Sequence, residues 1–139
     1  MKRPVVIVDT NVVVAGLLAA DDASPVARIL DGMLAAAFPF VLSEALLAEY
    51  RTVLLRPRIR KLHGLTVAEV EALLVEIAQH AIVLAPVAAS AAPDPGDQLL
   101  WELLAARSDL LLVTGDKLLR RDARMRARVV SPKVFVEVA

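Results

Sequence analysis

Four β-branched residues in a row, Val5-Val6-Ile7-Val8, run directly into Asp9. A run with no polar member fits a strand buried on both faces, as in a parallel sheet covered by helices, better than an amphipathic helix. Asp9 ends it. A carboxylate withdrawn from water at the C-terminal edge of a central strand calls for a partner, and that edge is where open α/β sheets place their ligands. A plainer reading is that Asp9 only caps the segment that follows, Asn11 to Ala20, as Asp often does at a helix N-terminus.

The same design recurs late in the chain. Leu110 to Val113 is a second continuous apolar strand, and it ends in Thr114-Gly115-Asp116. If the two strands are neighbours in a parallel sheet, their aspartates converge at one edge. Between them, Ser24-Pro25 opens a helix through about Ala36, with serine as N-cap and proline at the first helical position. Phe38 to Leu42 reads as a short strand, and Ser43 caps a helix to about Leu55 that carries Glu49. Arg58 to Gly64 reads as a basic connection. Thr66 and Glu69 form a capping box for a helix through His80. Ile82-Val83-Leu84 is an edge strand, and Val87 to Pro93 is loop-like. Asp94-Pro95-Gly96-Asp97 starts a helix to about Ser108. One cap suffices there, so capping accounts for Asp94 better than for Asp97. Val129-Val130 is a last strand before Ser131-Pro132 and a short final helix or strand. This order predicts one three-layer α/β/α domain over residues 1–139, with a central, mainly parallel sheet.

With 58% hydrophobic residues and a mean hydropathy of +0.61, a membrane protein has to be considered. Charge-free stretches such as Ala81 to Pro93 fall short of the roughly 18 apolar residues that span a bilayer. The Met-Lys-Arg start imitates a signal peptide, but Asp9, Thr10 and Asn11 interrupt its apolar region. There is no cysteine, hence no disulfide framework, and a cytoplasmic setting fits. The apolar surplus predicts a surface covered by a partner chain. Lys and Arg number 16 against 16 Asp and Glu, so net charge gives no vote for nucleic acid. Yet Arg51, Arg56, Arg58, Arg60 and Lys61 form one basic run. Lys117, Arg120, Arg121, Arg124, Arg126 and Arg128 form another, and each run follows closely behind a candidate acid.

Chemistry narrows to Asp9, Glu49, Asp97 and Asp116. Gathered in one cleft, these acids would repel one another and resist desolvation unless something positive sat between them. Carboxylate oxygen without imidazole or thiolate suits Mg2+ or Mn2+, and neither His63 nor His80 has a ligand-like spacing to an acid. Such a site serves hydrolysis of a phosphodiester.

Val-Asp-Thr-Asn at the first strand, Ser-Glu-Ala-Leu-Leu-Ala-Glu-Tyr ahead of Arg-Pro-Arg-Ile-Arg, Asp-Pro-Gly-Asp-Gln opening a helix and then Leu-Val-Thr-Gly-Asp-Lys follow in that order. In this the chain resembles the PIN-domain nucleases, in particular the single-domain toxin components of bacterial and archaeal toxin–antitoxin pairs. The resemblance implies that Asp9, Glu49, Asp97 and Asp116 bind Mg2+ or Mn2+ and that Asn11 and Thr114 position a carboxylate or water. It also implies a single-stranded RNA substrate, a homodimer and a cognate antitoxin that enters the active-site groove. Arg56, Arg58, Arg60 and Lys117 are the candidate nucleic-acid contacts. Relatives often carry a second Asp where this chain has Leu118; Asp122, almost two helical turns beyond Asp116, is poorly placed to replace it. Two rivals remain. A haloacid-dehalogenase-type phosphotransfer enzyme also begins with an Asp after a buried strand, but it wants a second Asp where Asn11 stands. A catalytically silent module would bind RNA or protein through the basic runs and gain nothing from clustered acids.

Overall fold

The computed structural model describes residues 4–122 and 126–138. Strand β1 (Val5–Val8) pairs in parallel with β4 (Leu110–Val113), and β4 pairs in parallel with β5 (Val129–Val130). Strands β2 (Val41–Leu42) and β3 (Ile82–Val83) form a second parallel pair, joined to the first sheet by a bridge between Val6 and Phe40. The spatial order is therefore β3-β2-β1-β4-β5, every neighbour parallel. The chain first winds outward from β1 to β3, then returns to β4 on the other side. Between β1 and β4 lies the switch point where such sheets open a crevice at their carboxyl ends.

Helices flank this sheet to make three layers, α/β/α. In chain order they are α1 (Thr10–Leu18), α2 (Pro25–Leu34), α3 (Glu44–Leu54), α4 (Pro57–His63), α5 (Val67–His80), α6 (Gln98–Leu104), α7 (Lys117–Arg121) and α8 (Pro132–Val138). Val6, Ile7 and Val8 are fully buried, as are Leu110, Leu112 and Val113, which is what two-sided cover demands of central strands. The core continues through Phe40, Leu46, Tyr50, Leu74, Ile77 and Trp101, all without solvent access beyond 1%.

Local chemistry explains most boundaries. Ser24, Ser43 and Thr66 each accept a backbone N–H in the first turn of the following helix, and Thr66 with Glu69 forms the full reciprocal box. Helix α1 carries consecutive valines, poor helix formers by propensity, but burial of Val12 and Val13 outweighs that preference. Gly16 lets α1 approach α2, since an added Cβ would lie 2.6 Å from the Val26 carbonyl oxygen.

Two stretches depart from expectation. Arg58 to Gly64 is helical rather than a connection, because Pro57 supplies the first helical φ and Gly64, at φ 70°, closes the helix in the left-handed region. His63 ties that end down: the Leu65 N–H donates to its Nδ1, leaving Nε2 to donate to the Leu54 carbonyl at 2.9 Å. The helix after Asp94 is shorter than expected. A 3-10 turn, Pro95–Asp97, precedes α6, which stops at Leu104 instead of Ser108. Arg128 stands at this end, donating to the carbonyls of Leu104, Arg107 and Leu110, and so holds the short connection between α6 and β4. Among the described residues no helix is long and apolar enough to cross a membrane.

Candidate active site

Asp9 follows β1 and Thr114 follows β4, and the parallel register carries one step past the strands to bring them together. The Asp9 N–H donates to the Val113 carbonyl at 2.9 Å, and the Thr114 hydroxyl donates to Asp9 Oδ2 at 2.7 Å. Asp9 stands at the N-cap position of α1 yet makes no side-chain cap, so the capping account of this residue fails. Its carboxylate turns instead to Thr114 and to the Asn11 amide, 3.3 Å away. Asn11 also donates to Thr114 Oγ1 and accepts the Gly115 N–H, while Thr114 Oγ1 accepts the Asp116 N–H at 3.0 Å. One buried hydroxyl and one amide thus link the loops after β1 and β4.

Glu49 reaches the same edge from α3. Its Oε2 accepts the hydroxyl of Thr10, and the next residue, Tyr50, fully buried, donates its phenol to the Val8 carbonyl. Because the Asp9 N–H faces β4, the preceding Val8 carbonyl faces away from it, and the phenol satisfies it. Consecutive residues of α3 therefore grip the backbone and side chain on either side of Asp9. Asp97 arrives from the start of α6 without a side-chain cap, whereas Asp94 caps through the Gly96 N–H at 2.8 Å. Asp116 opens α7 and accepts the Leu118 N–H.

Asp9, Glu49, Asp97 and Asp116 line one open cleft of about 450 Å³ together with Thr10, Asn11, Val14, Ala15, Leu18 and Val53. Among the described residues no lysine, arginine or histidine joins that lining. The electrostatics reflect the lack of a counter-charge. Burial chiefly, with the charges of Glu49 and Asp116, pushes the Asp9 carboxyl above its ordinary value despite the Thr114 bond. Asp97 is pushed up to about 6, first by burial and then by Asp9, Asp116, Asp94 and Glu49. An oxygen-only donor set left in mutual repulsion fits a hard divalent cation. Among the described residues no three acidic or histidine side chains already form a tight cage for an ion. The cleft is wide, with the carboxylates of Asp9, Glu49 and Asp116 held by hydrogen bonds to protein donors, and it suits an ion that keeps several of its waters.

The model of the PIN domain family matches residues 5–118, from the first residue of β1 to the second residue of α7. The chain belongs to the PIN domain family. Members of this family are generally nucleases, hydrolases that act on nucleic acids and typically use divalent metal ions. A search of the curated proteins finds no match to the chain.

In this PIN domain Asn11 lines the cleft, whereas the expected nucleic-acid contacts lie outside its lining. Arg56, Arg58 and Arg60 are exposed on α4 and its N-cap, and Arg58, Arg60 and Lys61 line a separate shallow concavity with Gly64 and Leu65. Helix α4 nonetheless packs against α1 and α3, which carry Thr10 and Glu49. Lys117 is exposed directly after Asp116. Arg51 is paired with Glu71 at 2.9 Å, so it is not a free cation of the first run. In the second run Arg124 lies outside the described residues, and Arg128 is held by backbone carbonyls. Asp122 ends α7 and does not line the cleft. Thr10 and Tyr50 escaped the sequence reading. Their signal was adjacency alone: each sits next to an acid, on the element that delivers it.

Proposed function

We propose that this PIN domain protein is a Mg2+- or Mn2+-dependent ribonuclease that hydrolyses phosphodiester bonds in single-stranded RNA. One observation carries the reading. Four acids from four separate parts of the chain, Asp9, Glu49, Asp97 and Asp116, line a single cleft at the switch point of the sheet, with no basic side chain beside them among the described residues. These four would hold the ion, which when bound supplies charge stabilisation at the phosphate and a water of lowered pKa. Thr114 and Asn11 keep the Asp9 carboxylate aimed, and the Thr114 bond opposes the upward push of burial, because a hydrogen bond to a carboxylate favours its charged form. Thr10 holds the Glu49 carboxylate toward the same edge through its hydroxyl. The exposed arginines of α4 and Lys117 extend the surface that meets phosphates.

The motif order supports a toxin of a toxin–antitoxin pair, acting in the cytoplasm and neutralised by an antitoxin in the groove. Exposed Leu62, Val67, Val75 and Val83 support a homodimer that covers part of this surface. The haloacid-dehalogenase reading is disfavoured by Asn11. Where that chemistry needs a second acid, the amide donates to Asp9 and Thr114.

The deciding experiment is cleavage of a labelled single-stranded RNA with added Mn2+, by wild type and by Asp9→Asn, with circular dichroism of both. Metal-dependent cleavage lost in a folded D9N protein supports the ribonuclease. A phosphorylated Asp9 trapped from a phosphate donor would move the assignment to phosphotransfer.

A further inference from the structure

The cleft has a second wall that the acids do not explain. Val14, Ala15 and Leu18 of α1 and Val53 of α3 line it together with the carboxylates, and all four are only half-buried. Their positions follow from helix geometry. Val14 lies one turn after Thr10 and Leu18 one turn after Val14, while Val53 lies one turn after Glu49. Two helices thus continue the cleft away from the metal-binding end as an aliphatic strip, about 6 Å of helix rise per step. Neither a cation nor a phosphate gains from that strip. It offers methyl groups, and its four side chains carry no hydrogen-bond donor, no acceptor and no aromatic ring.

Resting on the ribonuclease reading, we propose that this strip is a nucleobase subsite, taking the base of one nucleotide next to the scissile phosphate without reading its identity. A scissile phosphate at the acids leaves the neighbouring nucleotide within reach of the first turn beyond them. The flat face of a base is the apolar part of that nucleotide, and burying it against Val14, Leu18 and Val53 removes apolar surface from water on both sides. Sequence-tolerant sites usually stack bases on aromatic rings, and those that discriminate present hydrogen-bonding edges. This wall has neither. It therefore contributes affinity from area and shape and tolerates any base. Beyond Val53 the chain turns into Arg56 and α4, whose exposed cations stand on a helix packed against both α1 and α3 and are available to the backbone phosphates.

The test is a cycle between protein and substrate, in Mn2+, with oligoribonucleotides of one defined cleavage site. Each position flanking that site is made abasic in turn or filled with each of the four bases. Leu18→Gln and the near-isosteric Val53→Thr are compared with wild type, and thermal unfolding checks that both variants are folded. At one flanking position, base removal should raise KM for wild type by about tenfold, with the four bases nearly equivalent. The penalty of Leu18→Gln and Val53→Thr should shrink on the oligonucleotide abasic there. Equal penalties on intact and abasic RNA, no position sensitive to base removal, or a strong preference for one base at that position would each overturn the subsite. So would variants that cleave every RNA as wild type does but bind a protein partner less well, since the strip would then serve that partner. Failure of wild type to cleave any RNA with metal would instead remove the ribonuclease reading and this inference with it.

Discussion

Thr10 donates its hydroxyl to Glu49, joining the residue after the first acid to the second acid across 39 positions of sequence. The bond holds Glu49 toward the β1 edge without occupying an ion. Thr10→Val, close in shape, frees the carboxylate to swing. Hydrogen bonds that orient metal ligands are typically worth about 10- to 100-fold in metal affinity or activity, so binding of Mn2+ should weaken within that range. Thr10→Ser should restore most of it. Calorimetry of Mn2+ binding to the three proteins decides the matter, and an affinity unchanged in T10V would reduce Thr10 to packing.

Tyr50 acts on the backbone beside Asp9. Removing only its hydroxyl leaves the Val8 carbonyl buried without that donor, at a cost of about 1–3 kcal/mol. Urea unfolding of Tyr50→Phe should show this loss with an unchanged m-value. A stability equal to wild type would mean that another donor reaches Val8.

Metal-free protein should be more stable in mild acid than at neutrality. The Asp97 carboxyl is raised from 3.8 to about 6, so the folded state binds a proton that the unfolded state releases. Its contribution is fully present below 3.8 and is lost as pH rises through about 6. Asp9 is displaced in the same direction. In chelator, Tm should therefore rise between pH 7 and pH 5, and Asp97→Asn should flatten part of that rise. A Tm that falls over this interval, with EDTA present, would contradict the repulsion described for the cleft.

Gly16 permits the contact between α1 and α2. A methyl group there would lie 2.6 Å from the Val26 carbonyl oxygen and 2.9 Å from Leu30 Cβ. Although alanine is the better helix former, Gly16→Ala should destabilise by about 1–3 kcal/mol, as overpacking does. Denaturant unfolding showing a gain would mean that α2 can retreat freely.

Replacing Arg56, Arg58 and Arg60 together by alanine should weaken RNA binding and reduce the slope of log K against log salt by about two. Fluorescence anisotropy with a short RNA at several salt concentrations measures it. An unaltered slope would leave the face of α4 as solvated charge.

Much of the fold was legible in the chain because its central strands are unusually pure. Val5–Val8 and Leu110–Val113 have no polar residue, so two-sided burial and parallel pairing followed, and with them the meeting of Asp9 and Asp116 at one edge. Capping chemistry placed α2, α3 and α5 to within one or two residues. Helix α4 was missed because seven residues, three of them Arg or Lys and none buried, show no apolar stripe, and its signals were punctuation, Pro57 and Gly64. Arg128 read as one more member of a basic run, since sequence cannot tell a guanidinium in water from one spanning three carbonyls. Thr10 and Tyr50 were hidden for a related reason. Their partners, Glu49 and Val8, are 39 and 42 residues away, and only the packing of α3 on β1 makes them neighbours.

The out-and-back winding of the sheet has a consequence for synthesis. Asp9 and Glu49 emerge early, but β4, which carries Thr114 and Asp116 to them, is made only after the whole β2–β3 side and α6. A polypeptide still growing on the ribosome thus holds an incomplete set of carboxylates, and so does any fragment that stops before Asp116. The four-acid cleft is completed late, only once Asp116 has been made and β4 can dock beside β1.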